Sequence, residues 1–140
     1  MPIDLLDSFG RKHVYLRLSI TDNCNFRCLY CMPDEPFKST SSVELMSSRE
    51  IFEIARVFVH HYGINKIRIT GGEPLVRHDF ENIIRQISKL NVNTGVTTNG
   101  VLLHKYFDAL EECNVKNLNI SIDSLDREKF KYITKRDLFQ

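Results

Sequence analysis

Lys66-Ile-Arg-Ile-Thr-Gly-Gly-Glu-Pro74 reads as a short, β-branched strand that runs straight into a glycine turn. Side chains alternate across a strand, so Lys66, Arg68 and Thr70 share one face while Ile67 and Ile69 share the other. Beyond the turn, Phe80, Ile83, Ile84, Ile87 and Leu90 recur at helical spacing. The same order of strand, turn and helix appears on both sides. Upstream, Val14, Leu16, Leu18 and Ile20 alternate with Tyr15, Arg17 and Ser19 as a first strand. Ser47-Ser-Arg-Glu50 then has the spacing of a capping box. It precedes a helical stripe of Ile51, Ile54, Ala55, Phe58 and Tyr62, with Gly63 as its stop. Downstream, 94–98 reads as a third strand closed by Asn99-Gly100, 103–113 as a third helix and 117–122 as a fourth strand. Asp126 is placed to cap a last helix carrying Phe130 and Ile133. Helices between successive strands imply right-handed crossovers and a parallel sheet, hence an α/β fold. An antiparallel sheet with one wet face would show the same alternation, but would not need a helix between each pair of strands.

A parallel sheet covered on both faces would have near-continuous apolar strands. These strands instead collect polar groups on one face: Arg17 and Ser19; Lys66, Arg68 and Thr70; Thr97 and Asn99; Asn117, Asn119, Ser121 and Asp123. Burying such groups unpaired would cost about 1–3 kcal/mol each. The face must therefore meet solvent, another chain or a polar ligand. Ligands usually sit at the carboxyl ends of such strands, and two arginines and a lysine suit an anion such as a phosphate.

Composition sets the outer bounds. A chain of 140 residues can bury one domain's core. Nineteen basic against eighteen acidic side chains leave +1, so no global charge points to nucleic acid or to a membrane surface. The first residues lack the order of a secretory signal, and no apolar run approaches the ~20 residues that span a bilayer. The expected setting is cytoplasmic, where thiols stay reduced and clustered cysteines suggest metal rather than disulfides.

Three of the four cysteines stand in Thr21-Asp-Asn-Cys-Asn-Phe-Arg-Cys-Leu-Tyr-Cys-Met-Pro33. Structural zinc usually takes four protein ligands in two spaced pairs, and no second pair or nearby histidine pair is present. Ordinary ferredoxin clusters take four cysteines. Cys24, Cys28 and Cys31 fit a cluster with one iron left open to exogenous chemistry better than they fit zinc or idle thiols. Cys113 falls in an apolar pattern with Leu103, Tyr106, Phe107 and Leu110 and reads as core. The histidines, His13, His60, His61, His78 and His104, share no metal spacing with the cysteines and read as surface residues. Gly71-Gly72 would let the backbone approach a ligand, as glycine lacks a Cβ. Tyr30, between two candidate ligands, is open to two readings: a core residue, or one that flanks the base of a cofactor.

These motifs together resemble the radical S-adenosylmethionine superfamily, and within it the GTP 3′,8-cyclase family of molybdenum cofactor biosynthesis. The residues carrying the resemblance are Gly10-Arg11, Leu16-Arg-Leu-Ser-Ile-Thr-Asp22, the cysteine stretch to Pro33, Lys66 through Leu75, Thr97-Thr-Asn-Gly100 and Asn119-Ile-Ser-Ile-Asp123. The resemblance implies a partial (β/α) TIM-like barrel and a lyase that cyclises GTP through a 5′-deoxyadenosyl radical. It implies a [4Fe–4S] cluster on Cys24, Cys28 and Cys31, with S-adenosylmethionine on the remaining iron. Position by position, Tyr30, Gly72 and Ser121 would contact S-adenosylmethionine, and Arg17, Arg68 and Thr97 would contact GTP.

The family's barrel continues for about as many residues again and ends in a region with three further cysteines and a second cluster. Here seventeen residues follow Asp123, and Asn23 stands where the family commonly has a basic residue. The expectation is therefore that 1–140 is the amino-terminal half of a radical S-adenosylmethionine core domain. Its partners would be GTP, a reducing electron donor, and a second copy or a complementary carboxyl-terminal chain. Another radical enzyme with a different substrate, or a non-catalytic chain that only pairs with a complementary one, are the alternatives.

Overall fold

The computed structural model describes residues 2–31 and 44–139. Within them β1 (Tyr15–Ser19), β2 (Lys66–Thr70), β3 (Asn93–Thr98) and β4 (Asn117–Ile120) form one sheet in that order, every pair parallel. Helices α1 (Ser48–Tyr62), α2 (Phe80–Ser88) and α3 (Phe107–Glu112) supply the crossovers, and α4 (Arg127–Thr134) follows β4. The parallel α/β reading holds and the antiparallel alternative does not. The irregular connection expected over 34–48 lies largely outside the described residues, at 34–43.

The caps behave as their residues dictate. Ser47 Oγ accepts from Glu50 N while Glu50 Oε2 accepts from Ser47 N, a reciprocal box that satisfies two otherwise unpaired donors. Gly63 ends α1 at φ 68°, a left-handed conformation that costs glycine least. Asp126 Oδ1 accepts from Lys129 N and starts α4.

The core lies between the apolar face of the sheet and the helices. Leu18, Ile67, Ile69 and Val96 meet Phe80, Ile83, Ile84 and Ile87 of α2 and Ile51 and Ala55 of α1. Each such side chain removed from water contributes about 1.5–3 kcal/mol. Cys113 belongs to this core, as expected, and all five histidines are exposed.

Three local expectations need correction. Ile54 is exposed, because α1 buries only the narrow strip of Ile51 and Ala55. The helix expected over 103–113 is broken into a 3-10 turn at Leu103–Lys105 and the short α3. Tyr106 sits between them at φ −121°, its ring edge-on to Phe80 with centroids 5.0 Å apart. That tertiary contact overrides the local periodicity, and it leaves Phe107 exposed. The fourth strand stops at Ile120 rather than 122, because its partner β3 ends at Thr98. One further bond, Ser121 N to Thr98 O at 2.9 Å, carries the chain past the ladder.

The polar face is arranged in rows. Arg17 pairs with Arg68, which pairs with Gly95. One step nearer the carboxyl ends, Ser19 pairs with Thr70, and Thr97 pairs with Asn119. No helix of the described residues is long and apolar enough to cross a membrane.

Candidate functional site

A cavity of about 230 Å³ opens at the carboxyl end of the sheet. It gathers Cys24, Cys28 and Cys31 with Tyr30, Gly72, Thr97 and Ser121 on one surface. Seven of the nine residues singled out from the sequence thus meet, from four separate stretches of chain. Arg17 and Arg68 do not line this cavity; they stand one row deeper on the same sheet face.

The cysteine stretch is held from three sides. On the β2 side, Gly72 N donates to Thr21 O and Glu73 N to Asn23 O, both at 2.8 Å. A Cβ on Gly72 would stand 2.4 Å from Asn23 O, and one on Gly71 would stand 2.5 Å from Thr21 O. The two glycines therefore serve first to let this turn dock on the cysteine backbone, a structural reason the ligand-approach reading overlooked. On the α4 side, Arg27 N and Leu29 N donate to Thr134 O and Ile133 O, so the stretch caps the carboxyl end of that helix. Phe26 packs edge-on to Phe130, centroids 5.4 Å apart. Arg27 Nη1 folds back onto the carbonyls of Cys24 and Phe26. From β3, Asn99 Nδ2 donates to Asn25 Oδ1 at 2.7 Å.

Glu73 organises the rim and was not picked out by sequence reasoning. Its side chain is 1% exposed. Oε1 accepts from Leu75 N at 3.0 Å and Thr98 Oγ1 at 2.7 Å, and Oε2 accepts from Asn99 N at 2.7 Å. The carboxylate thereby ties the end of β2 to the end of β3. The signal available in the sequence was a carboxylate set between Gly-Gly and Pro.

The thiols are free. Burial pushes Cys24 above its ordinary pKa; the Phe26 N–H, 3.4 Å from Cys24 Sγ, opposes this and the Glu73 carboxylate adds to it. Burial also raises Cys28, with Asp123 adding to the effect. Tyr30 Oη donates to Asp123 Oδ1 at 2.8 Å, and that bond raises the phenol well above its usual range. The bond joins the cysteine stretch to the chain just past β4, so Tyr30 is neither core nor idle, although its side chain is largely exposed.

Among the described residues, no three His, Cys, Asp or Glu side chains gather round one point as a single ion requires. The three thiols line one cavity, and in an iron–sulfur centre each thiolate would hold a different iron. The donor set, all sulfur and with an N–H directed at Cys24 Sγ, also fits iron–sulfur ligation.

Below the cavity, Arg68 is 9% exposed, its Nε donating to Tyr15 Oη at 2.9 Å, while its Nη1 is buried with no hydrogen-bond partner. A Cβ on Gly95 would lie 3.3 Å from Arg68 Cζ and 2.9 Å from Asn117 O. The bare backbone at 95 is what lets the guanidinium lie across β3. Lys66 Nζ sits 5.1 Å from the centre of the Tyr15 ring, a cation–π contact, while Arg17 on the same face is exposed.

Comparison with known proteins gives a consistent result. Residues 18–140 match the Radical SAM superfamily. The chain is 49% identical over 134 residues to the mitochondrial GTP 3′,8-cyclase of Arabidopsis thaliana, covering 94% of this chain and 34% of that protein. It is 46% identical to the GTP 3′,8-cyclase of Campylobacter fetus, covering 96% of this chain and 42% of that one. It is likewise 46% identical to molybdenum cofactor biosynthesis protein 1 of Homo sapiens, covering 96% and 21% respectively. The chain thus spans well under half the length of these relatives. Among solved structures, Streptococcus suis SuiB bound to S-adenosylmethionine superposes with a TM-score of 0.65 at 16% identity, covering 89% of this chain and 28% of that one. At that identity the likeness concerns the fold, a partial (β/α) barrel of which this sheet supplies four strands.

Proposed function

The chain belongs to the radical SAM superfamily, and on that premise we propose that it carries the cluster-bearing part of a GTP 3′,8-cyclase, the lyase that begins molybdenum cofactor biosynthesis. The observation that carries the proposal is the meeting of three thiols from one stretch with Gly72, Thr97 and Ser121 at the carboxyl end of a parallel sheet.

In this reading Cys24, Cys28 and Cys31 would hold a [4Fe–4S] cluster, with S-adenosylmethionine as its partner in the same cavity. When bound, such a cluster with an external reductant would supply the radical chemistry on S-adenosylmethionine that converts GTP to 3′,8-cyclo-7,8-dihydro-GTP, the reductant and solvent furnishing the last electron and proton. The protein's own part is to bind and orient. Tyr30, Gly72 and Ser121 border the space that S-adenosylmethionine would fill. Thr97 points the reading toward GTP from the neighbouring strand. Arg17 and Arg68 offer guanidinium groups to its phosphates, and the unpartnered Nη1 of Arg68 supports an anion there because a buried donor without an acceptor is costly.

The test is anaerobic reconstitution with iron and sulfide, followed by iron counting and an assay for 5′-deoxyadenosine. The reading predicts iron–sulfur absorbance that Cys24→Ser, Cys28→Ser and Cys31→Ser each abolish. A chain that stays free of iron and retains zinc overturns it.

A second reading, that the chain works by associating with a second copy or a complementary chain, draws on β4. Among the described residues β4 pairs with β3 alone, and Ile120, Ile122 and Leu125 beside it are exposed. Light scattering at rising concentration and co-purification with a complementary chain test it. Such a cluster would need a reducing setting and a reducing electron donor.

A further inference from the structure

Arg77 lies outside the cavity, just beyond the 3-10 turn Pro74–Val76, with a side chain only 6% exposed. Its Nη1 donates to Ile20 O at 2.5 Å and its Nη2 to Met46 O at 2.6 Å. Nε and Nη2 together form a fork on the two oxygens of Asp79, at 2.6 and 3.2 Å. Ile20 immediately follows β1, and Met46 immediately precedes the Ser47 cap of α1. Every candidate cluster ligand falls between these two points. One guanidinium therefore grips both ends of the cysteine-bearing stretch, and Asp79 holds the guanidinium flat while it does so.

We propose that Arg77 is a positioning residue for the cluster ligands: by tying Ile20 to Met46 it keeps the ends of the 21–45 stretch together, so that the thiols hold their spacing and a bound cluster is lost slowly. This rests on the cluster reading above. Bringing the two ends of a stretch of chain together costs conformational entropy that grows slowly with its length. A clamp at both ends lowers what the three thiols must supply themselves. The geometry demands arginine. The guanidinium presents five donors in a planar fork, which here serve two carbonyls and a carboxylate at once. A lysine ammonium can keep the attraction to Asp79 but cannot span Ile20 O and Met46 O together. Arg77 reaches neither the cavity nor a thiol, so its effect on the cluster runs through the backbone.

The experiment uses the whole chain as wild type, Arg77→Lys, Asp79→Asn and, as a control, Arg85→Lys. Arg85 is a surface arginine whose partners are Glu81 and Glu112. Each protein is reconstituted anaerobically with ferrous iron and sulfide, and iron per chain is counted. The bleaching rate of the iron–sulfur absorbance is then measured under excess chelator, well below the unfolding midpoint of each apo chain. The expected result is that Arg77→Lys bleaches about tenfold faster than wild type, the factor matching one charge-assisted hydrogen bond. Asp79→Asn should fall between them and Arg85→Lys should match wild type. A merely structural role would lower the apo unfolding midpoint and leave bleaching below it unchanged. If Arg77→Lys folds and bleaches at the wild-type rate, the inference is wrong. If Arg77→Lys does not fold, Asp79→Asn decides in the same way. If wild type itself takes up no cluster, it is the cluster reading that fails.

Discussion

Replacing Glu73 by glutamine isolates what a single buried carboxylate does for this architecture. The carboxylate accepts three bonds: from Leu75 N and Thr98 Oγ1 on one oxygen, and from Asn99 N on the other. A glutamine amide has one acceptor oxygen and an NH2 group, so in either orientation a backbone N–H, of Leu75 or of Asn99, faces another donor. Thr98 cannot fully compensate, since its Oγ1 already accepts from Gly100 N. Leaving one such donor unmet costs about 1–3 kcal/mol, and the two surviving bonds lose their charge assistance, about 1 kcal/mol each. Relief of the buried charge offsets part of this, leaving a net loss of about 2–3 kcal/mol. For a chain of this length that corresponds to a fall of roughly 8 °C in the unfolding midpoint. Glu73→Ala, which removes all three acceptor contacts, should fall further. Thermal unfolding of the apo chain by far-ultraviolet circular dichroism measures both, with Glu50→Gln at the exposed capping box as control. A Glu73→Gln midpoint within about 2 °C of wild type, or no lower than that of Glu50→Gln, would show that the bonds to β3 do not hold the rim together.

Three other substitutions probe neighbouring parts of the argument. Gly72→Ala places a methyl group 2.4 Å from Asn23 O, and should lose about 1–3 kcal/mol in urea titration while lowering iron uptake by displacing the cysteine stretch. Gly95→Ala brings a methyl group within 2.9 Å of Asn117 O; amide exchange at Asn117–Ile120 should accelerate, and unchanged protection there would refute the close approach of β3 and β4. For Asp79, burial raises the carboxyl's pKa, but the hydrogen bond and charge of Arg77 prevail and leave it below 3.8. A folded-state value below the unfolded one adds stability that is present above about pH 3.9 and disappears as pH falls through the folded value. Urea midpoints of wild type and Asp79→Asn should therefore differ by a constant amount near neutral pH and converge in acid; a gap that persists in acid would assign the stabilisation to packing instead.

Much of this protein could be read from short-range pattern. The alternation of Leu16 and Leu18 with Arg17 and Ser19, the box at Ser47 and Glu50, the αL stop at Gly63 and the stripe from Phe80 to Ile87 each depend on residues within a turn or two of one another. Periodicity records such neighbours directly. The spacing of Cys24, Cys28 and Cys31 and the polar face beneath them were legible for the same reason. The pattern failed where a distant contact outweighed it: at Tyr106, drawn onto Phe80, and at Ile122, whose partner strand had already ended.

The order of strands and helices, the close spacing of Cys24, Cys28 and Cys31 and the polar sheet face were set by the sequence alone. Only the tertiary structure showed that Glu73 binds the end of β3, that Tyr30 reaches Asp123 and that Arg77 grips Ile20 and Met46. Those partners lie 25 to 93 positions apart. A directional hydrogen bond between distant residues leaves no repeat in the chain, so it becomes visible only when folding brings donor and acceptor together.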